Sequence, residues 1–171
     1  MSSDDNGVIM RLPQPEQIAE REKEDAMAAY LMMFASIAIG LPIPLANLVA
    51  SVIYFLVNRK SSRFVAFHCL QALLTHLPVV LLNAAVVGWL IGILVTQAQF
   101  GPGFFWFLFF AGLANVAYIV WSIIALVHAR KGRFVYMPLV GRYCFSRYYG
   151  PRAHALQSTP RAWENKPPEG M

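Results

Sequence analysis

The fold of this chain is decided by residues 58–74, which read NRKSSRFVAFHCLQALL. A hydrophobic run meets a turn carrying three cations, Arg59, Lys60 and Arg63, and the chain then becomes hydrophobic again. Cations are poorly tolerated in hydrocarbon, so they place this turn at a membrane surface. The segment that follows is therefore predicted to re-enter the membrane as a helix.

Polar residues recur along that segment at helical spacing. At 100° per residue they fall within about 140° of one another, while the remaining faces of the helix are apolar. We predict that this face packs inward against the second and fourth helices, with Asn47 and Asn115 as partners; the alternative is contact with a substrate or prosthetic group. This polar stripe consists of His68, Gln71, Thr75, His76 and Asn83.

The composition is that of a membrane protein rather than an enzyme. The chain has 171 residues, of which 57% are hydrophobic and 13% charged, against about 25% charged in soluble domains. No Asp or Glu occurs between Asp25 and Glu164, so this interval lacks carboxylate bases, carboxylate metal ligands and carboxylate proton relays. The sequence contains neither a P-loop nor a Gly-x-Ser-x-Gly motif. We therefore predict no catalytic residues, no metal site and no cofactor.

The chain divides into four predicted regions. A charged leader, residues 1–26, becomes helical from Pro15 and runs directly into an all-α membrane domain, residues 27–129. A basic and aromatic segment at the membrane surface, 130–149, and a flexible tail, 150–171, follow. Pro42 and Pro44 divide the first apolar run into a hairpin of two short helices. The four membrane helices are predicted near 27–41, 44–58, 62–96 and 102–129.

The cations predict the orientation of these helices. All 14 Lys and Arg residues fall before the first helix, between the second and third, or after the fourth, which is one side of a four-helix arrangement. The positive-inside rule then places both termini in the cytoplasm and the protein in the inner (plasma) membrane. Cys69 and Cys144 fall on the same reducing side and are predicted to be unpaired.

Lipid is the first predicted partner, since basic side chains beside membrane helices attract an anionic leaflet. Interleaved basic and aromatic residues also occur in nucleic-acid-binding segments, but directly after a membrane helix they favour lipid, and no nucleic acid is expected. The predicted headgroup contacts are Arg59, Lys60, Arg63, Arg130, Lys131, Arg133, Arg142 and Arg147.

Short motifs follow one another in a characteristic order between about residues 25 and 143. They are a Pro-containing bend, a Ser-x-Phe-Val-x-x-His entry into the third helix, and a small residue, Gly, Tyr, Pro exit after the fourth, represented here by Pro42, Pro44, Ser62, Phe64, Val65, His68, Ala72, Ala129, Gly132, Tyr136 and Pro138. This pattern resembles a small bacterial family of four-helix membrane proteins of unknown function, related to the channel-forming subunit of the chloroplast inner-envelope translocon (Tic complex). The resemblance implies a fold and a membrane setting, without an established activity.

Three functions are compatible with these features. The leading prediction is a non-catalytic accessory or scaffold subunit of a larger membrane complex, because small residues such as Gly88, Gly92 and Gly112 permit close packing against other subunits or a second copy. The alternative is a small channel or translocon-like pore component lined by the polar face of the third helix. A minor alternative is a haem-binding membrane subunit, with His68 and His128 as weak ligand candidates near the cytoplasmic end.

Overall fold

Helix caps and prolines set the helix bounds in the computed structural model, which describes residues 12–32, 44–150 and 164–168. Within these residues the protein is all-helical, with one 3-10 helix at Pro15–Gln17 and five α-helices. The α-helices are α1 (Glu20–Leu31), α2 (Pro44–Asn58), α3 (Arg63–Thr96), α4 (Pro102–Arg130) and α5 (Gly141–Tyr149).

Local signals explain where α3 and α4 begin and end. The hydroxyl of Ser62 accepts a hydrogen bond from the Val65 N–H and caps the start of α3. At the other end, Gln97 adopts a left-handed φ of 53°, and its N–H donates to the Ile93 carbonyl. Pro102 occupies the first position of α4, where its missing N–H costs nothing. The bounds of α2, α3 and α4 therefore lie close to those predicted.

The N-terminal helix differs from the prediction of a continuous helix from Pro15. Ile18 and Ala19 are extended, and α1 begins at Glu20, whose first turn is closed by the Glu22 carboxylate accepting the Ala19 N–H at 3.3 Å. The physical reason is burial, because the break turns Ile18 into the core. Six of the 12 residues of α1 are charged, so this described helix is no membrane span by itself. The remainder of the predicted first span, 33–41, and the bend at Pro42 lie outside the described residues.

Two helices, α3 and α4, are long and apolar enough to cross a membrane. With 34 and 29 residues, they extend ~51 Å and ~44 Å, against a hydrocarbon core of ~30 Å. Only 11% and 17% of their most apolar windows are buried inside the protein, whereas a core helix of a soluble protein would be mostly buried. The large apolar side chains of these helices instead face outward, as expected for contact with lipid.

The core lies at one end of this helix pair. We call this end the base; it combines α1, the first half of α3, the last turns of α4, the segment 134–137 and α5. Beyond it, residues 77–96 of α3 and 102–121 of α4 form what we call the apolar hairpin, whose arms measure ~30 Å each. The largest members of the base core are Tyr30, Phe64, Phe67, Phe134, Phe145 and Tyr149.

A short C-terminal stretch closes the base, although the sequence predicted a flexible tail there. Asn165 is buried, and its side-chain amide donates to the carbonyls of Pro13 (2.8 Å) and Gly132 (2.9 Å). Its side-chain oxygen accepts the Phe134 N–H at 3.0 Å. One amide thus satisfies three backbone groups from two distant segments. Gly132 has a φ of +69°, and a Cβ there would lie 3.1 Å from the Pro15 Cα, so glycine permits this approach.

Candidate functional site

The polar stripe begins in the base with two fully buried residues one helical turn apart, His68 and Gln71. The Gln71 amide donates to the Tyr30 hydroxyl at 3.0 Å, and that hydroxyl lies 3.0 Å from His68 Nδ1. The Tyr30 hydroxyl thus accepts from Gln71, and its hydrogen bond with His68 Nδ1 can form in either tautomer of the imidazole. The three side chains form one hydrogen-bonded chain between α1 and α3.

Gln71 also connects α3 to the chain that leaves α4. Its side-chain amide donates to the Val135 carbonyl at 2.9 Å, and its side-chain oxygen accepts the Met137 N–H at 3.3 Å. Buried backbone groups need such partners, since segment 134–137 contributes no regular helix or strand bonds of its own. Gln71 is therefore the clamp that binds the base together.

Aromatic rings enclose His68 on several sides. Phe64 and Phe67 meet its ring edge to face, with centroids 4.6 Å and 5.0 Å away, and Phe134 stacks at 5.9 Å. The Nε2 atom of His68 has no hydrogen-bond partner within the described chain. Offset and edge-to-face rings are favourable packing arrangements. The site is filled with protein side chains and resembles a packed core.

The two candidate haem ligands have different surroundings. His68 Nδ1 is engaged by Tyr30, whereas His128 Nδ1 donates to the carbonyl of Ile124 in its own helix at 2.8 Å. None of the ring contacts of His68 involves His128. Over the described ranges no group of three His, Cys, Asp or Glu residues could hold a metal ion. In both candidate ligands the Nδ1 atom is thus engaged by a group of the protein.

The stripe continues up the α3–α4 contact in two further layers. His76 Nδ1 lies 2.6 Å from the Tyr118 hydroxyl, and Asn83 exchanges two hydrogen bonds with Asn115, at 3.0 Å and 2.8 Å. Thr75 instead donates to carbonyls of its own helix. Asn115 is a partner that the sequence analysis named correctly for a stripe residue. Polar layers of this kind satisfy groups that lipid would leave unpaired.

The tyrosine partners were missed, as was the direction in which the lower stripe faces. His68 and Gln71 face α1 and segment 134–137 rather than α2, because α1 occupies the inner side of the base. Tyr30 and Tyr118 lie in apolar runs, where a tyrosine is also common at a membrane interface. Their positions in the sequence show no regular spacing relative to His68 or His76 that would identify them as partners. Asn47, the other named partner, lies in α2, where its carbonyl accepts the Ser51 hydroxyl.

The reciprocal amide pair leads to a double-mutant prediction. Replacing Asn83 by Leu leaves Asn115 without its partner, and we expect the free energy of unfolding in detergent to fall by about 0.6 kcal/mol, with about 1.7 as an upper bound. The double variant Asn83→Leu/Asn115→Leu should recover part of that loss, because neither polar group remains. Thr96→Val is the matched control, since Thr96 bonds only within its own helix. Purely additive effects would contradict the coupling.

Charged residues join α1 to the end of α4. The Glu20 carboxylate bonds Lys23 at 2.7 Å and Arg130 at 2.8 Å, and Arg130 also lies 3.7 Å from Glu24. The hydrogen bond from Lys23, followed by that from Arg130, lowers the pKa of Glu20 from its ordinary 4.5 to about 2. Arg130 additionally lies at the C-terminus of α4, where a cation is favoured by the helix dipole.

This lowered pKa predicts an acid-dependent contribution to stability. The Glu20 contribution should be complete above pH 4.5 and disappear as the pH falls through about 2, because the folded protein then has to bind the proton. We expect Glu20→Gln to lower the thermal midpoint slightly at pH 7 and progressively less as the pH falls toward 2. Added salt should reduce the difference, since the Glu20 carboxylate is exposed. Glu16→Gln is the control; a difference at pH 2 as large as that at pH 7 would contradict the assignment.

The predicted headgroup cations all lie toward the base. All are exposed except Arg133, which is half-buried. Several aromatic rings that accompany them turn inward instead of lying on a leaflet, namely Phe134, Phe145 and Tyr149. Cys69 and Cys144 are both free and buried, and burial raises the pKa of the Cys144 thiol to about 12. This thiol therefore stays protonated at neutral pH.

Comparison with known proteins identifies the family. A sequence model of the magnetosome magnetite crystal formation proteins (MamF/MmsF) matches residues 22–144, which extend from α1 into α5 and include the whole polar stripe. No curated protein and no solved structure matches the chain. The predicted resemblance to a small bacterial membrane family is thus confirmed in general form, whereas no match supports the relation to the chloroplast translocon. The chain belongs to the magnetosome magnetite crystal formation protein family.

Proposed function

We propose that this protein is a non-catalytic accessory subunit of the magnetosome membrane that supports the formation of magnetite crystals. The family match supports a role in magnetite crystal formation, and the two long apolar helices, α3 and α4, support a membrane setting. In this proposal the apolar hairpin holds the protein in the bilayer, and the base is a folded platform beside it. Other membrane proteins or a second copy would assemble on these surfaces, as the sequence analysis expected.

The internal pairing of the polar stripe is the observation that supports a scaffold role. His68 and Gln71 bond to α1, and His76 and Asn83 bond to α4. A conducting path needs polar groups that face an open lumen, whereas these groups face side chains of the same chain. The pairing therefore favours a scaffold over a pore lined by α3.

The sequence also favours an indirect role in mineral formation. Iron and other hard cations are bound largely by oxygen ligands and imidazoles, and the apolar hairpin with its 97–101 turn contains no Asp or Glu. The apolar hairpin contains no histidine either, and His76, the residue of α3 just before it, is engaged by Tyr118. We propose that the protein acts on crystals through the proteins and lipids it organises, without templating the mineral through carboxylates.

Gene deletion and complementation in a magnetite-forming bacterium test this proposal. Deletion should change the size or number of magnetite crystals seen by electron microscopy, and the wild-type gene should restore both. A variant with the buried clamp removed, Gln71→Leu, should restore them poorly, whereas Thr75→Val should restore them fully. Unchanged crystals after deletion would refute the proposed role.

Ion flux in liposomes distinguishes the scaffold from the channel. Purified protein reconstituted at defined density should give no more flux than empty vesicles, because the stripe is paired internally. Flux that is lost on replacing Asn83 or His76, in vesicles with equal protein incorporation, would establish the pore instead.

The proposed orientation puts the base and both termini on the cytoplasmic side. The two native cysteines are buried, so they should react little with a thiol reagent. Labelling of a single engineered cysteine can therefore be measured against a low background. Ser61→Cys, in the exposed turn before α3, should resist a membrane-impermeant thiol reagent in intact cells, while Gln99→Cys, in the turn between α3 and α4, should react if the protein resides in the plasma membrane. In isolated magnetosomes, whose cytoplasmic face is outward, the two reactivities should exchange. The opposite pattern in either preparation would invert the orientation.

A further inference from the structure

A groove of about 630 Å³ opens in the base next to the end of α4. It lies between the chain that follows α4, the start of α5 and residues 164–168. Three cationic side chains, Arg133, Arg142 and Lys166, line it against a single carboxylate, Glu164. Its formal charge is therefore positive, and its volume lies within the ~300–1,000 Å³ typical of small-molecule sites.

Arg133 is the least exposed of the three cations. Its side chain is half-buried, with the Nε–H shielded from solvent, and it contributes to the lining of the groove. Guanidinium groups bind phosphate oxygens through charge-assisted hydrogen bonds, often two at a time. Partial burial lowers the local dielectric constant and strengthens such a bond. The groove thus has the chemistry of a phosphate site.

An exposed apolar side chain, Leu139, lies at the edge of the groove. Leu139 is fully exposed, and its φ of +69° is a left-handed conformation that a leucine rarely adopts. The turn is held by the Gly141 N–H, which donates to the Met137 carbonyl at 2.8 Å. A strained backbone therefore displays a large, fully exposed apolar side chain in the same groove as the cations. An amphipathic ligand would contact both features at once.

The groove lies at the end of α4. Its lining begins with His128, in the last turn of that helix, and continues from Arg133, just beyond the last helical residue, Arg130. A helix that leaves the bilayer delivers these residues to the level of the lipid headgroups. Apolar contact on one side and cations on the other match a phospholipid with an anionic headgroup, whose acyl chains remain in the membrane.

We propose that this groove binds one anionic phospholipid, with Arg133, Arg142 and Lys166 on its phosphate and headgroup and Leu139 among its acyl chains. The inference rests on the membrane setting of the proposed function and is independent of the role in crystal formation. The sequence alone predicted a general attraction between basic residues and an anionic leaflet. The groove instead predicts one bound lipid per protein molecule.

Short-chain lipids below their micelle concentration provide the test. Full-length protein in a neutral detergent is titrated with dihexanoyl phosphatidylglycerol, dihexanoyl phosphatidylcholine or glycerol 3-phosphate, and the thermal midpoint is recorded. We expect a saturable rise with phosphatidylglycerol alone. Equal rises with both lipids would refute charge recognition, and an equal rise with glycerol 3-phosphate would assign the groove to soluble phosphates.

Variants locate the binding to the groove. Lys166→Gln should weaken the apparent affinity for phosphatidylglycerol about fivefold, as expected for one cation near an anionic lipid. Leu139→Ser should weaken it as well, and both side chains are exposed, so neither change should impair folding. Lys60→Gln, which removes a cation from the turn between α2 and α3, is the matched control. Wild-type affinity in both groove variants, or an equal loss in the control, would overturn the proposal while leaving the crystal-formation assay unaffected.

Discussion

Replacing Gln71 by Leu should lower the free energy of unfolding in detergent by about 3 kcal/mol. The variant leaves the Val135 carbonyl and the Met137 N–H without partners and removes the donor to the Tyr30 hydroxyl. Each buried group left unsatisfied costs about 1–3 kcal/mol, and an apolar side chain compensates none of them. Pulse proteolysis with trypsin reports this loss directly, because most of the described Lys and Arg residues lie around the base.

Thr75→Val is the matched control for that experiment. Thr75 lies one turn further along α3 and bonds only to carbonyls of its own helix, so its loss should change stability little. Amide hydrogen exchange adds a local readout, since segment 134–137 should exchange faster in Gln71→Leu and unchanged in Thr75→Val. Equal stability of the two variants would mean that the clamp contributes nothing.

Gly141→Ala is the second change with a large expected effect. A Cβ at this position would lie 2.7 Å from the Tyr136 Cα and 2.9 Å from its carbonyl carbon. These are backbone atoms, so no rotamer change relieves the clash, and overpacking of this kind typically costs about 1–3 kcal/mol. We expect the start of α5 to detach from the base, which faster hydrogen exchange over 141–149 would reveal.

Gly112→Ala provides the comparison for this steric prediction. Gly112 lies within α4, and a Cβ there meets nothing within 4 Å. Alanine is also the better helix former by roughly 0.5–1 kcal/mol, so this variant should match or exceed the wild type. If Gly141→Ala were as stable as Gly112→Ala, the close approach of the two backbones would not limit the packing of α5.

Sequence reasoning located the apolar helices well because their signals are local. Ser62 as a cap, Pro102 at a first turn and the cationic turn at Arg59 act within a few residues of the bounds they set. Asn115 was also predictable, since an amide in an apolar helix needs a partner at similar depth in its neighbour. The membrane helices and one layer of the stripe could therefore be predicted from the chain alone.

The base could not be predicted, because its contacts join segments far apart in sequence. Tyr30 reaches His68 across 38 residues, and Gln71 reaches Val135 across 64. The charged leader was predicted to run as a helix directly into the membrane domain, and the Pro-containing end of the chain was predicted to be flexible from its composition. A few buried residues nevertheless hold both segments in the base. They are Ala26, Ala29 and Tyr30 in α1 and Asn165 near the end of the chain. Composition averages over a segment, whereas single side chains decide where it packs.

Asn165 also determines when the molecule can be completed during synthesis. Its side chain bonds the carbonyl of Pro13, 152 residues earlier in the chain. Ribosomes add about 5–20 residues per second, so the N-terminal segment waits many seconds for this partner while α3 and α4 are already emerging and entering the bilayer. The base therefore closes last, after insertion. A nascent or prematurely released chain exposes the Pro13 carbonyl and the Phe134 N–H, and with them an unfinished surface that chaperones and proteases can recognise.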